Sequence, residues 1–350
     1  MAWSATQLSA ESRTAYANDK PILFGNNILE GTTQSAWRTW QTSSGYTTYA
    51  PYATSTNNLD ATNSSYPLYR VWDRHTHLQS EAQLPSSLTD TDRWAALFKF
   101  PASTFDAIAI LNHNFGSLSN FYGSNADPAN PDFFVRAVID NVDSFNDNPT
   151  EIFAWRNPTS DKPLLGLNLS NVSSTPHAQY RGVTNAQISL LCEGATMGTG
   201  TGQPRVAEIL FGKRVQLLHQ AKVPYSDNNL FAVAGNIDSP SGIFRRYARH
   251  AGGVRFDNLY TVTSDRSDIN TWFTDHIDHG IKNFLYIPRP SRAKGGGSVA
   301  RLTYDIYSEG ESYWVALEAD SFSLQQVDGP FERSLQLVMK EIPPYNSGVT

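Results

Sequence analysis

The sequence predicts a mainly β protein, with an N-terminal β-sandwich and a C-terminal α+β domain built on antiparallel strands and one helix. Aromatic residues make up 12% of the chain, and 23 Gly and 19 Pro interrupt it frequently. This composition is typical of strands and turns. Short runs of alternating apolar residues bounded by turn residues recur along the chain, whereas long stretches with helical periodicity are nearly absent.

Composition and charge narrow the classes of function. The 350 residues favour two or three domains, and 40% hydrophobic with 17% charged residues indicate a globular chain. The net charge of −6 argues against a nucleic-acid partner bound by a basic surface. No window approaches the ~18 apolar residues of a membrane-spanning helix, and the first residues lack a secretory leader, so we expect no export by that route. The single cysteine, Cys192, excludes an intrachain disulfide.

Residues 1–65 are predicted to pack on the sandwich or to lead into it. Between residues 41 and 66 almost every residue is small, polar or Tyr, and Asp60 carries the single charge. This composition predicts a long polar surface loop. Its tyrosines offer a face for binding, although a loop packed on its own domain explains them as well.

The sandwich is predicted from seven short strands with turn-rich connections between them. The candidate strands are residues 68–72, 94–100, 107–111, 133–139, 151–155, 186–192 and 205–211. Residues 107–111 are apolar at every position, which predicts a central strand with both faces covered.

Two of these segments carry a family resemblance. Residues 105–114 (FDAIAILNHN) and residues 204–212 (PRVAEILFG) resemble a central strand with its polar loop and a late strand of discoidin, or galactose-binding-like, domains. The resemblance covers about residues 66–218. It implies a jelly-roll sandwich over residues 66–222.

Many members of that family bind glycans or lipid headgroups through loops at one end of the sandwich. The resemblance therefore implies a glycan-contact loop after the central strand, where aromatic, Asn and His side chains occur together. The candidate glycan-contact residues are Asn112, His113, Asn114, Phe121 and Tyr122. Turn chemistry alone also accounts for Asn in such a loop.

Beyond residue 222 the pattern changes from a sandwich to an α+β domain, residues 223–350. Turn signals between residues 219 and 238 place the boundary near Lys222. Residues 242–249 and 253–262 are predicted to pair as a hairpin. A helix of about three turns is predicted next, capped by Ser267 or Asp268 and ended by Gly280. Its apolar face comprises Ile269, Trp272, Phe273 and Ile277, and the later strands are residues 284–287, 299–307, 313–319 and 331–342.

A second resemblance rests on three C-terminal segments and on their order along the chain. They are residues 268–273 (DINTWF), 284–288 (FLYIP) and 337–343 (LVMKEIP). This order resembles tail proteins of long-tailed bacteriophages, most closely the distal tail or tail-hub type, over about residues 223–344. The resemblance implies a small β-rich domain that assembles into a ring beneath the tail tube, with an attached sandwich facing outward.

The sequence predicts no metal and no cofactor. His276 and His279 share a helix face, but their interval of three and the missing Glu do not fit a zinc helix. A solvated last helical turn accounts for both histidines. His75 and His77 alternate along a possible strand, and an exposed strand produces the same pattern without a ligand.

The sequence also predicts no catalytic residues, so we expect that the protein is not an enzyme. It has neither a Gly-x-Ser-x-Gly elbow nor a phosphate-binding loop. Glu151, Glu208, Glu318 and Asp320 are candidates for a glycosidase carboxylate pair, although charges at strand edges explain them better. A glycosidase with an appended binding module is the least favoured alternative.

These expectations combine into one function. We expect a structural component of a phage virion tail, at the distal tail or baseplate hub, assembled in the bacterial cytoplasm as a homo-oligomeric ring. The expected partners are the tail tube, hub and fibre proteins, and the strand at residues 299–307 is expected to contact a neighbouring subunit. The alternative is a carbohydrate-binding adhesion module that recognises a host surface glycan.

Overall fold

The computed structural model of the protein describes the strands and the segments next to them. The described residues are 8–11, 21–40, 59–60, 62–76, 78–83, 93–105, 107–115, 133–140, 150–156, 164–167, 177–192, 203–219, 226–229, 233–238, 244–249, 254–263, 265–288, 305–307, 312–318, 322–328 and 332–342. Within these ranges the strand pairings are antiparallel. The predicted mainly β fold class is therefore confirmed.

The strands follow one another along the whole described chain. They are β1 (Leu8–Glu11), β2 (Ile22–Phe24), β3 (Gln34–Trp40), β4 (Leu59–Asp60), β5 (Ser80–Glu81), β6 (Arg93–Phe105), β7 (Ala107–His113), β8 (Phe133–Asp140), β9 (Thr150–Arg156), β10 (Leu164–Leu167), β11 (His177–Cys192), β12 (Arg205–Gly212), β13 (Val215–Gln216), β14 (Ser226–Asn229), β15 (Val233–Asp238), β16 (Phe244–Arg249), β17 (Val254–Val262), β18 (Phe284–Ile287), β19 (Asp305–Tyr307), β20 (Tyr313–Leu317), β21 (Ser323–Asp328) and β22 (Glu332–Glu341). The helical segments are a first 3₁₀ turn (Ile28–Gly31), a second 3₁₀ turn (Leu68–Trp72), the helix α1 (Arg266–Thr271) and a π turn (Trp272–His276). None of the described helices has the length and apolar character needed to cross a membrane.

The chain divides into two compact units, each made of segments that are distant in sequence. Unit 1 comprises Met1–Asn18, Asn26–Arg214 and Ser291–Gly310, and unit 2 comprises Asp19–Gly25, Val215–Pro290 and Glu311–Thr350. This division differs from the sequence-based one at residue 222 in the assignment of three strands. Strands β2 and β13 belong to unit 2, and β19 belongs to unit 1, because each pairs with a strand of that unit.

Unit 1 is a sandwich of two antiparallel sheets. The first has the strand order β4-β3-β6-β11-β8-β9, with β1 paired to β11, and the second has the order β19-β10-β7-β12-β5. Side chains from both sheets form one buried core, which includes Trp37 and Phe98 from the first and Ile108, Ile209 and Phe211 from the second. The predicted central position of residues 107–111 is confirmed, since β7 lies between β10 and β12 and Ala107 to Leu111 are all buried.

Residues 68–72 form the second 3₁₀ turn, so the strand predicted there is wrong. Pro67 precedes the turn in an extended conformation, and Leu68 and Val71 are buried. Residues three apart eclipse one another in a 3₁₀ helix, so the two apolar side chains point together toward the core. Tyr69 lies between them in sequence and is exposed.

The strand predicted at residues 299–307 is described only over Asp305–Tyr307. It pairs with β10 on one side, in the register Leu165 to Tyr307, and the expected contact with a neighbouring subunit stays a prediction. Tyr304 lies outside the described residues. In the described chain this short strand forms one end of the second sheet of unit 1.

Unit 2 contains an eight-stranded antiparallel sheet, and the helix α1 packs against the buried core of this unit. The strand order is β13-β2-β18-β20-β22-β17-β14, with β21 paired to β22. Ile269, Trp272 and Ile277 join Phe284 and Leu337 in the buried core, as the apolar periodicity of the helix predicts. The helix begins at Arg266, with Asp265 at the N-cap position, and changes to the π turn at Trp272. The π turn ends at His276 with Ile277 at the C-cap position, and positive φ angles begin at Asp278, so the helical segment ends before Gly280, the predicted stop.

The hairpin predicted over residues 242–262 does not form. Strand β16 pairs with β15 as a separate two-stranded sheet, and β17 pairs with β22 and β14. Strand β22 pairs with β17 along eight residues, from Arg255 to Val262, and the two strands share a buried apolar face that includes Leu335 and Met339. Burial of that face outweighs the local preference for a tight turn.

Candidate functional site

The predicted glycan-contact residues that the structure describes lie at the end of β7 and support the strand ends around them. The side chain of Asn112 donates to the carbonyl oxygen of Thr76, and the Asn112 carbonyl accepts a hydrogen bond of 3.1 Å from Gln79. His113 is 3% exposed, and its ring stacks on Phe115 with 4.6 Å between the ring centroids. Phe121 and Tyr122 lie outside the described residues.

Asn114 joins the end of β7 to the start of β12. Its side-chain oxygen accepts a bond of 2.9 Å from the Arg205 amide, and its side-chain nitrogen donates over 2.8 Å to the Gln203 carbonyl. Both the oxygen and the nitrogen of the Asn114 side-chain amide are thus hydrogen-bonded within the sandwich. The glycan-contact role of these residues stays a prediction, and the described part of the loop shows a structural role for each of them.

A buried carboxyl group lies on the strand next to β7. Glu208 of β12 is 0% exposed, although charges at strand edges were the favoured explanation for it in the sequence. Strand β12 pairs with β7 at Glu208 and with β5 at Arg205 and Val206, so burial is what separates Glu208 from a surface charge at a strand edge. Glu208 Oε2 accepts a bond of 2.9 Å from the backbone N–H of Arg74, and Oε1 lies 3.3 Å from Asn27 Nδ2, which donates to it.

The guanidinium of Arg74 is directed to a second carboxylate. Arg74 Nε and Nη2 lie 2.7 and 2.6 Å from Glu30 Oε1 in the first 3₁₀ turn. Arg74 is only 9% exposed and has a φ of +65°, a backbone conformation that an L-residue rarely adopts. The strained backbone of Arg74 thus occurs together with a specific contact of its N–H with the buried carboxyl.

Asn27 connects the same carboxyl to the first 3₁₀ turn and to β12. Its oxygen accepts bonds of 3.2 Å from the amides of Leu29 and Phe211, and its nitrogen donates over 2.8 Å to the Ile209 carbonyl. Asn27 therefore caps the turn and holds it against the strand. We call Asn27, Glu30, Arg74 and Glu208 the carboxyl cluster.

Burial raises the pKa of the Glu208 carboxyl well above its usual range. The Arg74 charge and the Arg74 N–H bond oppose this increase, whereas Asp73 and Glu30 add to it through their negative charges. Removal of a carboxylate from water is expensive unless a cation compensates it directly.

The sequence did not identify Asn27, Glu30 or Arg74 as site residues. A signal was present at Glu208, since a single acid interrupts the apolar run of β12. Its partners come from segments far away in the chain, and Asn27 is 181 positions from Glu208. No local spacing links them.

The other candidate carboxylates do not form a pair with Glu208 in the described structure. Glu318 forms a two-pronged ion pair with Arg255 in unit 2, with distances of 2.9 and 3.1 Å, and this contact lowers the pKa of Glu318. The Glu151 side chain and Asp320 lie outside the described part of the chain.

The histidines are placed differently from the sequence-based expectation. His276 is buried at 7% exposure in the π turn, so the prediction of a solvated turn is wrong for it, whereas His279 is exposed. His75 is exposed in a turn, and His77 is outside the described residues. Among the side chains that the structure describes, no three His, Cys, Asp or Glu residues are grouped as ligands for a metal ion.

Two tyrosines are the large exposed ring side chains of unit 1 within its described residues. Tyr66 is 45% and Tyr69 is 55% exposed. The Arg70 guanidinium lies 5.3 Å from the centroid of the Tyr66 ring, and the Tyr66 carbonyl accepts bonds from Ser80 and Glu81. These contacts hold Tyr66 in place at the surface.

Comparisons with known proteins do not assign the chain to a family. No family model matches the sequence, and no curated protein matches it. One similar solved structure is described as "X-ray structure of GH31 CBM32-2 bound to GalNAc", with 12% identity over 51% of this chain and 99% of that chain. The TM-score of this match is 0.21. A likeness at this level carries no argument about the present chain.

Proposed function

We propose that the protein is a structural component of a phage tail, of the distal tail or baseplate hub type, which assembles as a homo-oligomeric ring. The resemblance of residues 223–344 to tail proteins supports this function. The observation that carries the proposal is the open sheet of unit 2, in which the end strand β14 has a sheet neighbour on one side within the described residues.

The β14 end of this sheet is suited to association with another subunit. In the described residues, β14 has the sheet neighbour β17 on one side, whereas β13 at the other end of the sheet is buried, since Val215 and Gln216 are each 4% exposed. An end strand presents unpaired N–H and C=O groups that can pair with another chain. Contacts between unlike surfaces give a closed ring when the rotation between subunits closes. Tail tube, hub and fibre proteins are the further partners of such a ring.

The test places a positive charge on the β14 edge and compares assembly. Lysine at an end strand discourages edge pairing, so the double variant Ser226→Lys, Asn228→Lys is expected to lose oligomers in native mass spectrometry and rings on tail tubes in electron microscopy. Gln336→Lys is the matched control, because Gln336 is exposed on β22, which has neighbours on both sides. A wild-type protein that stays monomeric even with tail tubes, or a double variant that assembles normally, would contradict the proposal.

Carbohydrate binding by unit 1 is the second candidate function, and the exposed Tyr66 and Tyr69 favour it. Exposed aromatic rings give contact area at low entropic cost and carry a hydroxyl group for hydrogen bonding. The contacts of Tyr66 with Arg70, Ser80 and Glu81 preorganise this surface. Such binding is compatible with a place in a tail, where the sandwich would contact a host surface glycan.

A printed glycan microarray tests this candidate. We expect labelled wild-type protein to bind a subset of glycans and Tyr69→Ala to lose that binding. Ile281→Ala is the control, because Ile281 is 79% exposed in unit 2. If Tyr69→Ala and wild type bind equally, Tyr69 does not contact the glycan. If wild type binds no glycan on the array, carbohydrate binding is excluded for the glycans printed there.

A further inference from the structure

The exposed rings of Tyr66 and Tyr69 share their surface with an arginine that contacts no carboxylate. The Arg70 guanidinium lies 5.3 Å from the centroid of the Tyr66 ring, and its Nη1 donates a bond of 3.3 Å to the Gln79 carbonyl. An aromatic ring and a neutral carbonyl are therefore the contacts of this cation in the described structure.

The nearby cation Arg205 is already compensated. Its Nε lies 2.6 Å from Glu81 Oε2, and Glu81 Oε1 accepts a bond of 3.2 Å from Asn63 Nδ2. Both oxygens of Glu81 are thus bonded, and the positive charge of Arg205 balances the negative charge of Glu81. The Arg70 guanidinium adds a positive charge to this surface that no described carboxylate pairs with.

The contacts of Arg70 hold it in position for a ligand. Gln79, whose carbonyl accepts the Arg70 bond, donates through its side chain to the Asn112 carbonyl over 3.1 Å, which fixes it to the end of β7. A guanidinium carries five N–H donors in a planar fork, and one of them is used on Gln79. Two parallel N–H bonds to a carboxylate or a sulfate are the strongest contacts that the remaining donors can make.

The ligand of this surface has to bind through side chains, because the strand edge beside it is covered. The Glu81 N–H donates over 3.1 Å to the Tyr66 carbonyl, and Thr62 forms a β-bridge with Ala82. Strand β5 therefore has β12 on one side and residues 62–66 on the other. An extended peptide adds to a sheet by pairing with an open edge, and the described part of β5 offers none. Exposed rings suit sugar rings better, since they provide flat apolar area.

We propose that Tyr66, Tyr69 and Arg70, which we call the tyrosine–arginine surface, bind an anionic oligosaccharide. The sugar rings pack against the exposed tyrosines, and the anionic group, a carboxylate or a sulfate, binds the Arg70 guanidinium. This inference rests on carbohydrate binding by unit 1, the second candidate function, and it specifies the class of glycan that unit 1 binds.

The experiment uses a glycan array on which each core is printed in a neutral, a sialylated and a sulfated form. Labelled full-length protein is applied in a concentration series. We expect wild type to bind an anionic form at least about tenfold more tightly than the neutral form of the same core, because hydrogen bonds to charged groups are the stronger ones. Comparison of the sialylated with the sulfated form distinguishes a carboxylate from a sulfate.

Three variants separate the charge from the rings. Arg70→Gln keeps a donor for the Gln79 carbonyl without the charge, so it should bind the anionic and neutral forms equally. Arg266→Gln is the matched control, because Arg266 is exposed in unit 2, and it should keep the wild-type preference. Tyr69→Ala should lose binding to both forms. An increase in NaCl from about 0.05 M to about 0.5 M should weaken anionic binding by wild type and leave that of Arg70→Gln unchanged.

The outcomes distinguish this inference from the function on which it rests. If wild type binds neutral and anionic forms equally, or if Arg70→Gln keeps the preference, the inference is overturned while carbohydrate binding stands. An array without binding counts against carbohydrate binding itself. Competition by a hexaglutamate peptide as effective as that by the free anionic glycan would assign the surface to acidic peptides and overturn the inference. The wild-type preference and its dependence on salt decide the matter if Arg70→Gln fails to fold.

Discussion

Replacement of Asn27 by Ala removes the side chain that ties the first 3₁₀ turn to β12. Asn27 is 6% exposed, and its amide makes four hydrogen bonds: two accepted from the amides of Leu29 and Phe211, and two donated to Ile209 and Glu208. Three of these four bonds reach residues of β12. Alanine can replace none of them, so buried polar groups of the strand lose a partner.

The magnitude follows from the number of bonds. Each hydrogen bond contributes about 0.5–1.5 kcal/mol net, and a buried group left without its partner adds to the loss. Four bonds therefore give an expected decrease of about 4 kcal/mol in the free energy of unfolding of unit 1. For a domain of this size the decrease corresponds to a Tm lower by about 10 °C.

Differential scanning calorimetry resolves the effect, because it separates the transitions of a chain with two units. Asn63→Ala is the matched control: Asn63 is half-buried in the same unit and makes two side-chain bonds, with Glu81 and the Ser65 amide. By the same reasoning the two bonds of Asn63 give a loss of at most about 2 kcal/mol, because one is part-buried and the other is exposed to water. An Asn27→Ala variant no less stable than Asn63→Ala would refute the reasoning.

Three further predictions concern unit 2. Gly25→Ala should destabilise it by about 1–3 kcal/mol in thermal unfolding, since a Cβ there would meet Ile277 Cγ2 at 2.5 Å; an unchanged Tm would contradict this packing. Glu318→Gln should lower the free energy of unfolding by at most about 1 kcal/mol at neutral pH, because the ion pair with Arg255 is partly exposed. The difference in stability from wild type should vanish as the pH falls through the lowered Glu318 pKa. A difference that persists in acid would argue against the ion pair. A fragment of residues 223–350 should show no cooperative unfolding by circular dichroism, because it lacks β2, which pairs with β18, and β13, which pairs with β2. A cooperative transition would show that these strands are dispensable.

Local pattern in the sequence determined the class of the protein and several of its elements. Alternating and all-apolar runs predicted the strands around β7 and β12, because strand residues point alternately to two faces and burial selects apolar side chains on the covered faces. The apolar spacing of Ile269, Trp272 and Ile277 predicted the helical segment on the core of unit 2. These features depend on neighbours a few positions apart.

Tertiary structure alone decided which strands complete each unit and how the carboxyl cluster is built. Strand β2 pairs with β18 across more than 250 positions, since Phe24 faces Leu285, and β19 pairs with β10 in unit 1. Residues 68–72 became a 3₁₀ turn because Leu68 and Val71 face a core that the sequence does not display. Glu208 interrupts an apolar strand at one position, yet its protonation is set by desolvation and by charges on distant segments. Electrostatic energy in a buried site depends on distance in space and on exclusion of water, and neither quantity is encoded in local spacing.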